Sequence, residues 1–153
     1  MTYSMNDFFS SVEKFVNISE PENENLEEAI DLWLSLNFEE NTEAITAFEE
    51  GDNVGLLDGA IDQVYTGLGL LIKLHKAGFK VKEGLQRVGE NNLTKFPTTE
   101  PNMSMYPDGW VKTYNEEYNV WIIKDSLGRV RKPLDYHPVN LVDLAPSKIS
   151  NKE

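Results

Sequence analysis

The residues with the most chemistry in them are acids in unexpected places. The apolar stripe Leu26, Ile30, Trp33 and Leu36, continued at steps of three and four, runs on through Glu40, Glu43 and Ala47, with Glu39 beside it. Carboxylates on a core-facing line are costly to bury unless something positive compensates. A second helical stretch has the same irregularity. Asp58 and Asp62 are the only charges between Val54 and Ile72, and a spacing of four puts them on one face. Like charges at that spacing destabilise a helix by roughly 0.2 to 0.5 kcal/mol, and a bound cation reverses the sign. Hard divalent ions such as Mg²⁺ take oxygen ligands and are commonly shared between protein carboxylates and substrate phosphates. The plainer alternative puts Glu39, Glu40 and Glu43 on a solvated face, if the stripe rotates after Leu36, and makes Asp58 a helix cap.

A complementary set follows downstream. The stripe Val81, Leu85, Val88, extended by four and three, reaches Asn92 and Lys95. Lysine is a point-charge ligand for phosphate, and asparagine can bond a base, a ribose or a phosphate oxygen. The competing reading is a lysine that snorkels past the helix end. Arg129, Arg131 and Lys132 form the densest basic cluster of the chain, with Tyr136 close behind, and either grip phosphates or balance charge. His75 and His137 share no ligand spacing, so a zinc or triad site has little support. Neither a G-x-x-x-x-G-K-[ST] loop nor a G-x-G-x-x-G turn is present. Gly67 and Gly69 read as close helix packing, and Trp110, Tyr118 and Trp121 as the core of a hairpin rather than a base-stacking surface.

The elements that must carry these residues are mostly helical. Met5 to Val16 places Phe8, Val12 and Phe15 on one face, and the polar stretch Ser19 to Asn25 breaks it. A second helix runs from Leu26 to the Gly51-Asp52-Asn53 turn, and a third from Val54 to Lys76. The third is apolar almost all round, as at the centre of a bundle or an oligomer interface. The fourth starts at Val81 and must stop at Pro97. Beyond it, Trp110 to Tyr114 and Tyr118 to Ile123 flank a polar turn and predict a hairpin, Ser126-Leu127-Gly128 a second tight turn, and 147–153 a flexible tail. The 153 residues suit a single domain, here 1–146. A net charge of -12 disfavours a general grip on nucleic acid. No signal peptide or membrane span is expected. With no cysteine in the chain, a cytoplasmic protein without disulfides or thiolate metal sites is expected.

In this order, the motifs resemble those of the MazG-like all-α nucleoside triphosphate pyrophosphatases, a superfamily that includes dimeric dUTPases and phosphoribosyl-ATP pyrophosphohydrolases. Asp7-Phe8-Phe9 to Phe15 looks like the family's first helix. Glu39-Glu40-Asn41-Thr42-Glu43 is similar to its E-E-x-x-E motif, and Asp58-Gly59-Ala60-Ile61-Asp62 to its E-x-x-D helix. Asn92-Leu93-Thr94-Lys95 looks like its N-x-x-K segment, and 128–133 with Tyr136 and Pro138 like its closing basic and tyrosine-proline pattern. One departure stands out: the first acid of E-x-x-D falls on Gly59, so Asp58 must replace it or a metal position is weakened. The 97–123 insertion is long for the family.

The resemblance implies a helical bundle assembled as a homodimer or homotetramer; with the elements read above, the expected fold is an all-α bundle of four to five helices with a small β-hairpin near the C-terminus. The resemblance also implies Mg²⁺-dependent hydrolysis of a nucleoside triphosphate to monophosphate and pyrophosphate, with Mn²⁺ as the alternative ion. Glu39, Glu40 and Glu43 would be catalytic, and Glu40, Glu43, Asp58 and Asp62 would hold the metal. Asn92, Lys95, Arg129, Lys132 and Tyr136 would bind substrate. Two alternatives stay open. One is the same fold acting on phosphoribosyl-ATP, a deoxynucleotide or an alarmone. The other is a non-catalytic acidic helical protein that binds and inhibits a partner by charge mimicry.

Overall fold

The computed structural model describes residues 4–21 and 24–149. These form four α-helices and a two-stranded antiparallel sheet, and the chain divides into two compact units. One contains the chain up to Val81 and rejoins it at Leu144; the other is Lys82–Asp143.

In the first unit, α1 (Met5–Ser19) opens on a reciprocal capping box between Ser4 and Asp7 and runs three residues past the predicted Val16. Helix α2 (Leu26–Glu50) is capped by Asn25 and closed by Gly51 in the left-handed conformation, φ 74°. Asp52 then caps α3 (Asn53–Lys76) by accepting from the N–H groups of Val54 and Gly55. The cap is therefore Asp52, and Asp58 lies inside the helix.

A ladder of small residues zips α2 against α3, antiparallel. A Cβ on Gly69 would lie 2.1 Å from the Trp33 ring, one on Gly59 3.0 Å from Ala44, and one on Gly55 3.2 Å from the Ala47 Cβ. Between these contacts the Asn37 amide donates to Gln63 O and Thr66 Oγ1, both at 2.8 Å. Trp33 fills the core with Val12 and Val16 of α1. A second cluster joins Leu26, Ile30 and Ala77 with Phe79 and Ile149. Ile149, expected in a loose tail, is thus packed, while 150–153 lie outside the described residues. Lys73, only 2 % exposed, reaches Glu24 at 2.5 Å, and Lys76 pairs with Glu20, so the connection after α1 is tied to the end of α3.

In the second unit, α4 (Val81–Leu93) stops four residues before Pro97, and 94–96 continue as turn. The predicted helix was too long there, and Lys95 lies beyond it. Asn91 Nδ2 donates to His137 O and Arg87 to Asp143 and Asn140 O, folding 137–143 back onto α4. Strands β1 (Val111–Asn115) and β2 (Val120–Lys124) pair with Tyr114 opposite Trp121. Trp121 N donates to Pro97 O, and Lys112 Nζ to Pro101 O, which ties the segment entering the expected insertion to the hairpin. Ile123 is fully buried. Among the described residues, no helix is long and apolar enough to cross a membrane.

Candidate functional site

The acids of the first unit lie along the α2–α3 seam. Glu40 and Asp62 fall between the Asn37–Thr66 and Ala44–Gly59 contacts and are both half-buried. Burial pushes the Glu40 carboxyl above its ordinary 4.5, and the negative charges of Asp62, Glu43, Asp58 and Glu39 push it further the same way. All the predicted acids are therefore close enough to repel Glu40. None of them has an ion pair or side-chain hydrogen bond among the described residues. The predicted inward line is corrected at one step: Ala44, not Glu43, takes the buried position, and Glu43, Glu39 and Asp58 are exposed. The reason is geometric, because the close α2–α3 approach admits only an alanine opposite Gly59. The same contact explains Gly59 itself. A glutamate there would be driven into Ala44, so the packing of this seam excludes an acid at position 59.

The donor set suits a hard divalent cation, being carboxylate oxygen throughout, with no nitrogen or sulfur. With the side chains as they stand, no three acids converge tightly enough to hold an ion among the described residues. In donor chemistry, and in the repulsion felt by Glu40, the set is compatible with a cation such as Mg²⁺.

The second unit carries a cavity of about 540 Å³ where α4, the turn after it and the 130–132 segment come together. Three of the predicted substrate ligands, Asn92, Lys95 and Lys132, line it. Lys95 Nζ donates to Asn92 Oδ1 at 2.7 Å, so amide and ammonium share one position. Lys132 Nζ sits 4.5 Å from the centroid of the Tyr136 ring, a cation–π contact. Tyr136 itself does not line this cavity, and its hydroxyl is occupied in donating to Asn91 Oδ1 at 2.6 Å.

Arg129 is, with Tyr136, one of two predicted ligands that the structure does not bring to this cavity. Its Nε donates to Asp125 Oδ2 at 2.9 Å and its side chain is 61 % exposed. Arg131 lines the cavity instead. Its N–H donates to Ile123 O, its guanidinium bonds the same Asp125 oxygen, and that guanidinium lies 5.6 Å from the Trp110 ring centroid. Alternation puts Arg129 and Arg131, two apart, on one face and so does not distinguish them; Arg129 directly follows the turn at Gly128, φ 77°, whereas Arg131 lies two residues beyond it.

Asp125 is the hub of this loop. Burial pushes its carboxyl up, but bonds from the Arg129 N–H, the Arg131 and Arg129 side chains and the Leu127 N–H outweigh it and hold the group well below the usual carboxylate range. Sequence reasoning missed Asp125 because nothing local shows that one aspartate serves two arginines. It also misread Trp110. That residue lies just outside β1 and, with Phe96, forms an aromatic wall of the cationic cavity. Trp121, by contrast, stays in the hairpin against Tyr114 at 5.0 Å, as expected.

A second cavity of about 440 Å³ shares Phe96 with the first and is lined by Asn91, Thr94, Thr98, Thr99, Asp135, Tyr136 and His137, among others. No family model, no curated protein and no solved structure matches this chain.

Proposed function

We propose that the chain is a cytoplasmic, Mg²⁺-dependent nucleoside triphosphate pyrophosphohydrolase of MazG-like kind, releasing nucleoside monophosphate and pyrophosphate. The observation that carries this reading is the seam of unpaired acids around Glu40, an arrangement that is unfavourable alone and favourable once a cation is present. Glu40, Glu43, Asp58 and Asp62 would hold Mg²⁺, which when bound supplies charge neutralisation on the phosphates and a more acidic water. Glu39 orients the attacking water and takes its proton. The water oxygen forms a bond to the α-phosphorus, the bond from that phosphorus to the α–β bridging oxygen breaks, and pyrophosphate leaves. Within the second unit, taken by itself, Lys95, Arg131 and Lys132 are cations suited to a phosphate chain, and Asn92 bonds Lys95.

The reading also includes a homodimer or homotetramer. Phe38, Ile45, Phe48, Leu57, Ile61 and Val64 leave a broad apolar surface exposed on α2 and α3 of the single chain. Surfaces of that kind are normally covered by another subunit. Light scattering on the purified chain tests this directly, and a monomer at micromolar concentration ends it.

A product analysis with Mg²⁺ and a panel of ribo- and deoxynucleoside triphosphates tests the reaction. Monophosphate plus pyrophosphate is expected, with Glu40→Gln at least about a hundredfold slower. Diphosphate plus phosphate would point to a different phosphohydrolase. A second reading has its own support: Glu39, Glu43 and Asp58 are exposed, as an acidic binding protein would present them. That protein would turn over no triphosphate and would gain no stability from Mg²⁺.

A further inference from the structure

Two cavities of the second unit have opposite chemical characters. The first has Lys95, Arg131 and Lys132 in its lining and no carboxylate. The second has the hydroxyls of Thr94, Thr98 and Thr99, an imidazole and the carboxylate of Asp135, with no lysine or arginine. Phe96 belongs to both linings, so the cavities are neighbours across one side chain.

An anion chain is attracted by the first lining and repelled by Asp135 in the second. A hydrocarbon would leave the Thr98 and Thr99 hydroxyls and the Asp135 carboxylate unmatched, the Thr94 hydroxyl alone being already bonded, to Asn91 O. What suits the second cavity is a neutral group rich in hydroxyls, small enough for about 440 Å³. The walls are already fixed: the Asn91 side chain accepts from Tyr136 Oη at 2.6 Å and donates to His137 O at 2.8 Å. Asp135 is different, for its carboxylate makes no hydrogen bond or ion pair among the described residues and keeps its full capacity to accept.

We propose that the second cavity is a ribose subsite, in which the Asp135 carboxylate accepts hydrogen bonds from the 2′- and 3′-hydroxyls of a ribonucleotide whose phosphates lie in the adjoining cationic cavity. This rests on the nucleotide reading above and narrows it to ribonucleotides. A vicinal diol presents two donors at the separation of two carboxylate oxygens, and bonds to a charged acceptor are the strong ones.

The test is equilibrium binding to the full chain without divalent metal, which prevents turnover. The probes are the four common ribonucleoside triphosphates, their 2′-deoxy counterparts and inorganic triphosphate. The best ribonucleotide is expected to bind about tenfold more tightly than its deoxy form, the equivalent of one hydrogen bond to a charged group. Asp135→Asn should shrink that preference to about twofold while leaving inorganic triphosphate unchanged, and Lys95→Ala should weaken every probe. Equal affinity for ribo and deoxy forms, or a preference that survives Asp135→Asn, overturns the ribose subsite while the phosphate grip stands. Failure of every triphosphate to bind overturns the nucleotide reading as well.

Discussion

In the first unit, Glu40 is surrounded by Asp62, Glu43, Asp58 and Glu39, and no cation among the described residues pairs with any of them. In the second, each cation at the cavity already has a partner: Lys95 has Asn92, Lys132 has the Tyr136 ring, and Arg131 has Asp125. Both regions gather like charge, yet they treat it differently. The acids stand on rigid helices with their side chains uncommitted, so binding a cation relieves repulsion. The cations stand on loops with their side chains held, so binding an anion loses little conformational freedom. A ligand should therefore change the stability of the first region more than that of the second.

The largest effect expected from this contrast is on melting in Mg²⁺. At a hundredfold excess over its dissociation constant, the ion should stabilise the chain by about 2.7 kcal/mol. Glu40→Gln should be more stable than the wild type without metal and should lose most of the Mg²⁺ increment, whereas Lys132→Ala should keep it. Equal losses in both variants, read by calorimetry, would break the division of roles.

The second contrast is between two glycines. Gly69→Ala drives a Cβ to 2.1 Å from the buried Trp33 ring and should cost about 1–3 kcal/mol in urea unfolding, the usual range for overpacking. Gly128→Ala meets nothing within 4 Å, so only its left-handed φ of 77° opposes it, and about 1 kcal/mol is expected. A reversed order would mean that the helix seam is softer than the loop.

A smaller effect concerns the loop hub. Asp125→Asn weakens the bonds that hold Arg131 at the cavity, so affinity for inorganic triphosphate should fall severalfold, while the Mg²⁺ increment stays unchanged. Titration calorimetry reads the first quantity and a melt the second.

The smallest effect is on pH dependence, where the two regions have opposite signs. Glu40 has its carboxyl raised above 4.5. As pH falls through that raised value, the folded chain takes up the proton before the unfolded chain does, so stability should rise until about the ordinary glutamate value. Asp125 is held below its ordinary 3.8, so its contribution is present above that value and is lost as pH falls beneath it. The melting temperature should pass through a maximum in mildly acidic solution, and Glu40→Gln should remove the rise while leaving the acid-side fall. A wild-type profile that falls steadily from neutral pH would contradict the crowding of acids around Glu40.

Much of the helical frame was legible. Glycine, proline and capping residues act over a few positions, so Gly51, Asp52 and Gly78 mark the ends of α2 and α3 to within a residue or so. The hairpin was equally clear from the β-rich runs on either side of its turn. Periodicity was less faithful where two helices touch. A stripe read at fixed steps assigns Glu43 to the buried line, but the close contact with Gly59 is made by Ala44 instead. Lys73 shows the same limit, since nothing nearby in sequence says that Glu24, 49 positions away, will bury it.

The sequence by itself determined which residue types the chain brings to bear: acids spaced along two helices, and an amide and cations after the fourth. Local pattern carries that information because spacing on a helix is set by the backbone. Only tertiary structure decided which of them face a common space. It left Glu40 and Asp62 half-buried at the seam, exchanged Arg129 for Arg131, brought Trp110 to the cavity and set Asp135 in one cavity lining with three threonines. Those assignments depend on how closely two helix backbones approach and on which carboxylate an arginine meets first, and both are long-range contacts that no short window of sequence contains.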